Sequence, residues 1–357
     1  MGDECQTSEG ECVAEQGTDR PQAAAPGEPS AIDDLFQDDQ PSGKKPRRAL
    51  RTWLIVLGSL VVALIVAVGA LVGWGIGQLN AVKREPGLLP SGRVTVNPGD
   101  LISKPLNFLL LGSDSRGADR GRSDVMILVH ADADRGKLYL ISLPRDLWVT
   151  IPGHKLKNKI NAAYAFGGAA LSVQTVETLL NVRIDNVALT DFEGFFNLID
   201  DLGGVRVFND IPSANGGFTF PRGDLDLTGA SALAYVRERY DLPRGDFDRA
   251  ERQRLVIKGI VDKLASNQTL TNPGKLLAVI NRLSKSVTVD DTLTNANILA
   301  LVNDLQLTSG EDIEQFQVPI AGFGTSSAGA SYVKPDDKRM AQLAEALSTG
   351  RMSTYQP

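Results

Sequence analysis

Residues 107–116 read NFLLLGSDSR, an apolar run that ends at a glycine and is followed by polar and charged residues. A short apolar run closed by a glycine is typical of a β-strand that is buried on both faces. In α/β proteins, ligands bind at the ends of such strands and in the loops that follow them. The stretch therefore predicts a buried strand with a binding loop at its carboxyl end.

Patterns further along the chain predict more strands and then helices. The predicted strands cover residues 124–130, 137–143, 148–151 and 314–319. Apolar residues at helical spacing predict helices over 160–166 and 169–180, which Gly167-Gly168 separates, and over 191–202, 230–237, 249–264 and 293–305. Strands that cluster and alternate with helices in this way predict a layered α/β fold.

Arginines and carboxylates recur in four short blocks, which are residues 112–116, 122–124, 144–146 and 237–253. The guanidinium fork matches phosphate oxygens in both geometry and charge. Carboxylates beside such arginines suit Mg²⁺, a hard cation that binds oxygen ligands and phosphates together. The blocks therefore predict a site for a pyrophosphate.

Several of these residues also have a structural interpretation. The first block alone fits an ordinary solvated turn, and for Asp146 a structural pair with Arg145 is favoured over a catalytic role. Lys159 is predicted to open a helix, where backbone N–H groups favour an anion; a lysine there is usually just solvated, but beside several arginines it could contact a phosphate. The last block is the most specific, because Arg249, Arg252 and Gln253 are predicted to share one helix face with few acids to pair them.

The chain divides into four segments. Residues 1–51 are an acidic tail that ends in a basic cluster, and their low apolar content predicts disorder. Residues 52–77 are uncharged and long enough for one transmembrane helix, 78–104 are predicted to be a stalk, and 105–357 form the main domain. The basic cluster precedes the apolar segment, so the positive-inside rule places the N-terminus in the cytoplasm and the domain outside the cell membrane.

Composition excludes several other classes of protein. The two cysteines, Cys5 and Cys12, lie in the tail, so the domain is predicted to have no disulfide. The only histidines, His130 and His154, offer little for histidine-based catalysis or a zinc site. The domain is nearly neutral and outside the cell, which argues against nucleic acid as a partner.

Taken together and in order, the motifs resemble the LytR-CpsA-Psr family of Gram-positive cell-wall enzymes. The similarity covers residues 107–263, and no second domain is recognised in 265–357. It is carried by NFLLLGSDSR, RSD at 122–124, SLPRD at 142–146, KINAAY at 159–164, DDLGGV at 200–205, LTG at 227–229, ALAYVRER at 232–239 and DFDRAERQ at 246–253.

The resemblance implies a central mixed sheet flanked by helices in αβα layers, with a hydrophobic channel for a polyprenyl chain. By matched position, Asp114 and Asp124 would hold Mg²⁺, or Mn²⁺ in its place, and together with Arg122 they would form the catalytic set. The residues implied to bind pyrophosphate are Arg122, Arg145, Lys159, Arg237, Arg239, Arg249 and Gln253.

The implied activity is transfer of a glycopolymer from a polyprenyl-pyrophosphate carrier to peptidoglycan. The polymer would be of the teichoic acid, capsule or arabinogalactan type. Two other functions fit the same arginines. One is a non-catalytic regulator that binds polyprenyl pyrophosphate and attenuates cell-envelope genes, and the other is a phosphatase that uses water.

Overall fold

The computed structural model describes Gly77 and residues 80–93, 104–113, 123–134, 136–265, 281–282, 284–304 and 309–356. The predicted tail and all of the predicted span except Gly77 lie outside these residues. Within the described residues, none of the helices has the length and apolar character that crossing a membrane requires.

Fifteen strands and six helices are numbered in chain order among the described residues. The strands are β1 (Lys83–Glu85), β2 (Leu106–Ser113), β3 (Ser123–Ala131), β4 (Leu138–Ser142), β5 (Trp148–Val149), β6 (Asn158–Lys159), β7 (Asn186–Asp191), β8 (Val205–Asn209), β9 (Ser213–Asn215), β10 (Phe218–Phe220), β11 (Gly223–Leu227), β12 (Val287–Asp290), β13 (Ile313–Gln317), β14 (Ile320–Thr325) and β15 (Ser331–Pro335). The helices are α1 (Ala162–Leu180), α2 (Phe192–Asp201), α3 (Gly229–Arg237), α4 (Asp246–Ala265), α5 (Asn295–Asp304) and α6 (Asp337–Thr349).

The described strands form a seven-stranded central sheet in the order β1-β12-β7-β2-β3-β4-β13. Strand β2 lies near the middle, antiparallel to β3 and parallel to β7. Strand β4 is antiparallel to β3 and parallel to β13. The predicted strand is therefore confirmed, and the sheet is mixed.

Helices cover both faces of this sheet. Leu109 and Leu111 of β2 pack on one face in a cluster that includes buried residues of α1 and α6. Leu110 points the other way, where Ile257 of α4 and Ile298 of α5 belong to the clusters on that face. Side chains alternate along a strand, so an unbroken apolar run is what a sheet with two covered faces requires. The αβα layering is thus accounted for by the sequence of β2.

A second, smaller apolar cluster lies beside the main core. It joins α2, α3 and α4 to the hairpin of β8 and β11, with Tyr235 and Leu198 fully buried within it. The cluster fixes α4 from one side while the sheet holds it from the other. The amino-terminal turn of α4 is therefore held in place relative to the sheet edge.

Two segments differ from the sequence-based prediction. Residues 83–89, assigned to the stalk, contribute β1 to the sheet and place Leu88 and Leu89 in the core. The domain therefore begins before residue 105, because this short edge strand pairs with β12, about two hundred residues later in the chain. The predicted helices 160–166 and 169–180 form one element, α1, with non-helical backbone at Gly167 and Gly168.

Candidate functional site

The carboxyl ends of β2 and β4 meet the start of β3 at one edge of the sheet. Ser113 pairs with Ser123, and Ser142 pairs with Ile127. Asp114 follows β2 directly, but Asp114 and Arg122 lie outside the described residues. Asp124 is the second residue of β3, and its side chain is likewise outside what the structure describes. The assignment of these three residues to the site stays a prediction.

A cluster of five charged side chains lies where β4 ends and α4 begins. Lys159 Nζ is 2.7 Å from Asp146 Oδ1, and Arg249 Nη2 is 2.7 Å from Asp246 Oδ1. Arg145 Nε lies between the two carboxylates, 3.8 Å from Asp146 Oδ2 and 3.6 Å from Asp246 Oδ2. We call these five residues the cation cluster, because its three bases outnumber its two acids.

Each base of the cation cluster comes from a different element. Arg145 lies in the tight turn after β4, where the Leu147 N–H donates to the Pro144 carbonyl. Lys159 lies in the two-residue strand β6 and pairs with Trp148, so the prediction that it opens a helix is wrong; α1 begins at Ala162. Arg249 lies in the first turn of α4. The bases thus come together only through tertiary packing.

The end of α3 and the segment after it carry two further predicted residues, Arg237 and Arg239. Helix α3 ends at Arg237, as predicted, and Glu238 is extended. The backbone of Arg239 lies close to Gly245, the residue that precedes α4. A β-carbon placed on Gly245 would be 3.9 Å from the Arg239 carbonyl oxygen. The Arg239 guanidinium donates to the exposed Tyr240 hydroxyl at 2.7 Å. Gln253 is half-buried one turn beyond Arg249.

Asp246 is a site residue for which sequence reasoning proposed no role. Its carboxylate contacts both Arg145 and Arg249 and so connects two of the predicted phosphate ligands. The i,i+3 spacing of Asp246 and Arg249 on one helix was a usable signal. Asp146, favoured as a structural residue, pairs with Lys159 and Arg145.

Arg252 does not share the face of Arg249, contrary to the prediction from spacing. It is 3% exposed and donates to Ser213 Oγ, the Ile211 carbonyl and Asn209 Oδ1 at 2.9, 2.8 and 3.2 Å. Its guanidinium also lies 4.2 Å from the centre of the Tyr235 ring. Arg252 is thus part of the second apolar cluster, where it ties β8–β9 to α4.

We expect Arg252→Ala to lower the free energy of unfolding by about 2–4 kcal/mol, because one buried acceptor and two part-buried acceptors lose their donor. The matched variant Arg249→Ala, on the same helix, should cost about 1 kcal/mol or less because its ion pair is partly solvated. Urea unfolding of both variants measures the difference. Equal losses in the free energy of unfolding would contradict the finding that Arg252 is buried in hydrogen bonds while Arg249 lies in a partly solvated ion pair.

Arg254 is a third arginine of α4 with a different environment again. It is 6% exposed, faces the sheet, and donates to Ser142 Oγ at the end of β4. Its buried Nε has no hydrogen-bond partner among the described residues. Burial lowers the pKa of this guanidinium to about 10. Within the described part of the chain, Arg254 is therefore a buried cation with no paired carboxylate and an unsatisfied Nε.

Because the buried charge of Arg254 has few partners among the described residues, Arg254→Met should leave the free energy of unfolding unchanged or raise it by about 1 kcal/mol. Methionine fills a similar length and needs no hydrogen bonds. The variant Ser142→Ala serves as the control for loss of the hydroxyl alone. Urea unfolding of both variants measures the difference. A loss of more than about 2 kcal/mol in the free energy of unfolding of Arg254→Met would show that the charge of Arg254 has a stabilising partner.

Two cavities are lined in part by members of the cation cluster, and residues of the β14–β15 hairpin line both. The larger is an open cleft of about 610 Å³ whose lining includes Trp148, Lys159, Asn161 and the hairpin tip at 326–330. The smaller, of about 170 Å³, includes Asp146, Asp246 and Phe247 in its lining. The hairpin is held by stacking of Tyr332 on Trp148 and by an edge contact of Phe323 with Phe247. Residues beyond 265, which sequence reasoning left without a role, thus build a wall of the site.

No metal centre can be built from the described side chains alone. Among them, no group of three or more His, Cys, Asp or Glu residues is placed to hold a metal ion. The two carboxylates of the cation cluster are already paired with bases. A cation at this edge would depend on Asp114 and Asp124.

A sequence model described as the LytR_cpsA_psr family matches residues 81–349. The chain belongs to the LytR-CpsA-Psr family. It is 38% identical over 261 residues to the polyisoprenyl-teichoic acid–peptidoglycan teichoic acid transferase TagU of Bacillus cereus, and the match covers 72% of this chain and 84% of the relative. The resemblance drawn from the ordered motifs is thereby confirmed.

Solved structures of the LytR-CpsA-Psr kind have the same fold. Bacillus subtilis TagV superposes with a TM-score of 0.61 at 28% identity, covering 71% of this chain and 99% of TagV. A structure of TagT bound to LIIa-WTA gives a TM-score of 0.59 at 27% identity and covers 76% of this chain and 99% of TagT. The mixed sheet with flanking helices is therefore the LytR-CpsA-Psr architecture.

Proposed function

We propose that this LytR-CpsA-Psr protein is a membrane-anchored transferase that works outside the cytoplasm. It moves a cell-wall glycopolymer from a polyprenyl-pyrophosphate carrier to peptidoglycan. The observation that carries the proposal is the convergence of Arg145, Lys159 and Arg249, from three separate elements, at one sheet edge. The name of the TagU relative supports a polymer of the teichoic acid type over the capsule and arabinogalactan types.

The reaction is a phosphoryl transfer. A hydroxyl oxygen of the acceptor forms a bond to the phosphorus that carries the glycopolymer. The bond from that phosphorus to the bridging oxygen breaks, and polyprenyl phosphate leaves with the electron pair. The hydroxyl proton passes to a base or to solvent. Such a reaction depends mainly on positioning and on stabilising charge at the phosphates.

The cation cluster supplies that stabilisation. Asp146 and Asp246 hold the bases in place before a ligand arrives, so little reorganisation is needed when charge develops on the leaving phosphate. The remaining proposed phosphate ligands are Arg122, Arg237, Arg239 and Gln253. Arginine forks bind phosphate oxygens through two parallel hydrogen bonds, which fixes the orientation of the pyrophosphate.

A divalent cation is part of the proposal. Asp114 and Asp124 would hold Mg²⁺, or Mn²⁺, and the bound ion would neutralise charge on the pyrophosphate oxygens. The pairing of Ser113 with Ser123 supports this, because it brings the end of β2 to the start of β3, where these two residues follow. The transmembrane helix at 52–77 and an apolar channel for the lipid complete the proposal and rest on the sequence and on the family resemblance.

The full-length protein in detergent tests the function directly. It is incubated with a glycan-labelled teichoic acid oligomer on polyprenyl pyrophosphate and with insoluble peptidoglycan. Equal amounts of polyprenyl monophosphate and peptidoglycan-bound label are expected. Tight binding of the donor without cleavage would instead support the regulator. Monophosphate release that ignores the acceptor would support the phosphatase.

A further inference from the structure

The tip of the β5–β6 hairpin exposes an apolar side chain between two bases. Residues 153–157 read GHKLK, and all five are exposed. Leu156 is 81% exposed and lies between Lys155 and Lys157. The sequence has no Asp or Glu from residue 147 to residue 176, so no carboxylate of this stretch offsets the lysine charges. We call residues 153–157 the basic tip.

A second exposed apolar side chain, Phe166, adjoins the basic tip. The His154 ring stacks on the Phe166 ring at 4.6 Å between ring centres, which joins the tip to α1. Phe166 is 47% exposed and directly precedes the non-helical Gly167. Exposed large apolar side chains among lysines are typical of segments that lie in the interface of an anionic membrane. The apolar groups enter the boundary of the acyl chains, and the lysines meet the lipid phosphates.

The sheet register shows at which edge the chain enters the domain. The predicted transmembrane segment ends at Gly77, and the Asn80 N–H donates to the Gly77 carbonyl. Strand β1 follows at Lys83, which the pairings through β12 and β7 place level with Leu111 of β2. Because β1 runs antiparallel to β2, the residues before Lys83 lie toward the carboxyl end of β2. The Asn295 side chain donates to Asn80 Oδ1 and ties this entry to the start of α5.

The basic tip and Phe166 belong to the same edge of the sheet. Lys159, two residues after the basic tip, contacts Asp146 of the cation cluster. The Asn161 N–H, just before α1, donates to the Arg145 carbonyl, so Phe166 lies near the end of α1 that starts at this edge. The chain thus enters from the membrane-spanning segment, gathers its cation cluster and exposes these apolar side chains at one edge.

We propose that the basic tip and Phe166 rest on the surface of the membrane that holds the anchor, with anionic lipid as their partner. The inference rests on the membrane-anchored part of the proposed function. Leu156 and Phe166 enter the headgroup region, and Lys155 and Lys157 bind lipid phosphates. The contact is a second attachment of the domain. It holds the cation cluster at the level where the pyrophosphate of a lipid carrier leaves the bilayer.

Site-specific labelling of the full-length protein tests the contact. The only two cysteines are in the tail, so Cys5→Ser and Cys12→Ser remove them, and an apolar fluorophore is attached to Leu156→Cys. Phe208→Cys is the matched control, because Phe208 is a 51% exposed apolar side chain on the β8–β11 hairpin. The protein is reconstituted in phosphatidylcholine vesicles with or without phosphatidylglycerol. Lipids that carry a spin label near the headgroup quench a fluorophore that touches the bilayer.

We expect the fluorophore at residue 156 to be quenched in the phosphatidylglycerol vesicles and the one at residue 208 to keep its intensity. Equal quenching at both positions, or none at 156, overturns the inference. A blue shift at 156 that grows with protein density without quenching by lipid would show contact between two copies of the chain, and it overturns the inference too. So does a change at 156 that needs added peptidoglycan.

The lysines are tested in the protein labelled at residue 156. Lys155→Gln combined with Lys157→Gln should weaken binding of the tip by about fivefold per lysine, which is the effect of one base near an anionic surface. Omitting phosphatidylglycerol should have the same effect. Lys104→Gln combined with Arg183→Gln is the matched control, two exposed bases at the opposite edge, where the Arg183 carbonyl accepts from the Asn107 side chain at the start of β2. Equal effects of the two pairs overturn the role of the lysines.

The membrane anchor is checked separately by floating the vesicles at alkaline pH. Release of the full-length protein would refute the anchored part of the proposed function. A protein that stays with the vesicles and shows no quenching at residue 156 overturns the inference alone.

Discussion

Arg249→Ala is expected to reduce cleavage of a polyprenyl-pyrophosphate donor by about 100-fold to 1,000-fold, as loss of one preorganised charge-stabilising donor does in other enzymes. Arg249 is 12% exposed at its side chain and is held by Asp246 beside Arg145. Its removal takes away one of the three bases and releases the carboxylate that organises a second. The measurement is the initial rate of polyprenyl monophosphate release.

The matched control is Arg206→Ala, which removes an arginine from an exposed pair with Asp226. That pair lies on the β8–β11 hairpin and contacts no member of the cation cluster. The control should keep nearly the wild-type rate.

Arg237→Ala is expected to behave like Arg249→Ala. Near-normal turnover in both Arg237→Ala and Arg249→Ala, with both folded, would remove the basis of the phosphotransferase assignment.

Removal of Mg²⁺ with excess chelator is expected to reduce the same rate by about 100-fold or more, because a bound cation contributes several kcal/mol of charge stabilisation. Asp114→Ala should have a similar effect, and chelator added to that variant should cause little further loss. Adding Mg²⁺ back should restore the cleavage rate of the wild-type protein but not that of the Asp114→Ala variant.

Asp226→Ala is the control for this experiment, since it removes a carboxylate that is exposed and paired with Arg206. It should respond to chelator as the wild-type protein does. A second readout is binding of Mn²⁺, followed by its paramagnetic signal, which Asp114→Ala should weaken and Asp226→Ala should not. Full activity of the wild-type protein in excess chelator would contradict a metal role.

The sequence predicted secondary structure correctly where a strand or helix depends on residues that are neighbours along the chain. The apolar run of β2 predicted a strand covered on both faces, and the Gly167-Gly168 pair predicted the interruption of α1. It was less informative for strands whose partners are far away in the chain. Strand β1 was assigned to a stalk because three charged residues in a row show no strand pattern, and only pairing with β12 makes them a strand.

The three arginines of α4 show the same limit within the site. Arg249, Arg252 and Arg254 are identical in type and lie within six consecutive residues, so spacing alone placed Arg249 and Arg252 together. Their environments differ because the helix is packed on two sides. Arg252 enters the second apolar cluster and Arg254 faces the sheet, whereas Arg249 remains at the edge with Asp246.

What the residue order determined was the layered α/β class, the family and the set of charged blocks, because periodicity and short motifs are local properties of the chain. What packing added was the set of neighbours around each side chain. Lys159 meets Asp146 through the pairing of β5 with β6, and Asp246 joins Arg145 to Arg249 across about one hundred residues. The hairpin of β14 and β15 became a wall of the site by stacking Tyr332 on Trp148. Such contacts join segments distant along the chain, so they exist only once the sheet and its helices have assembled.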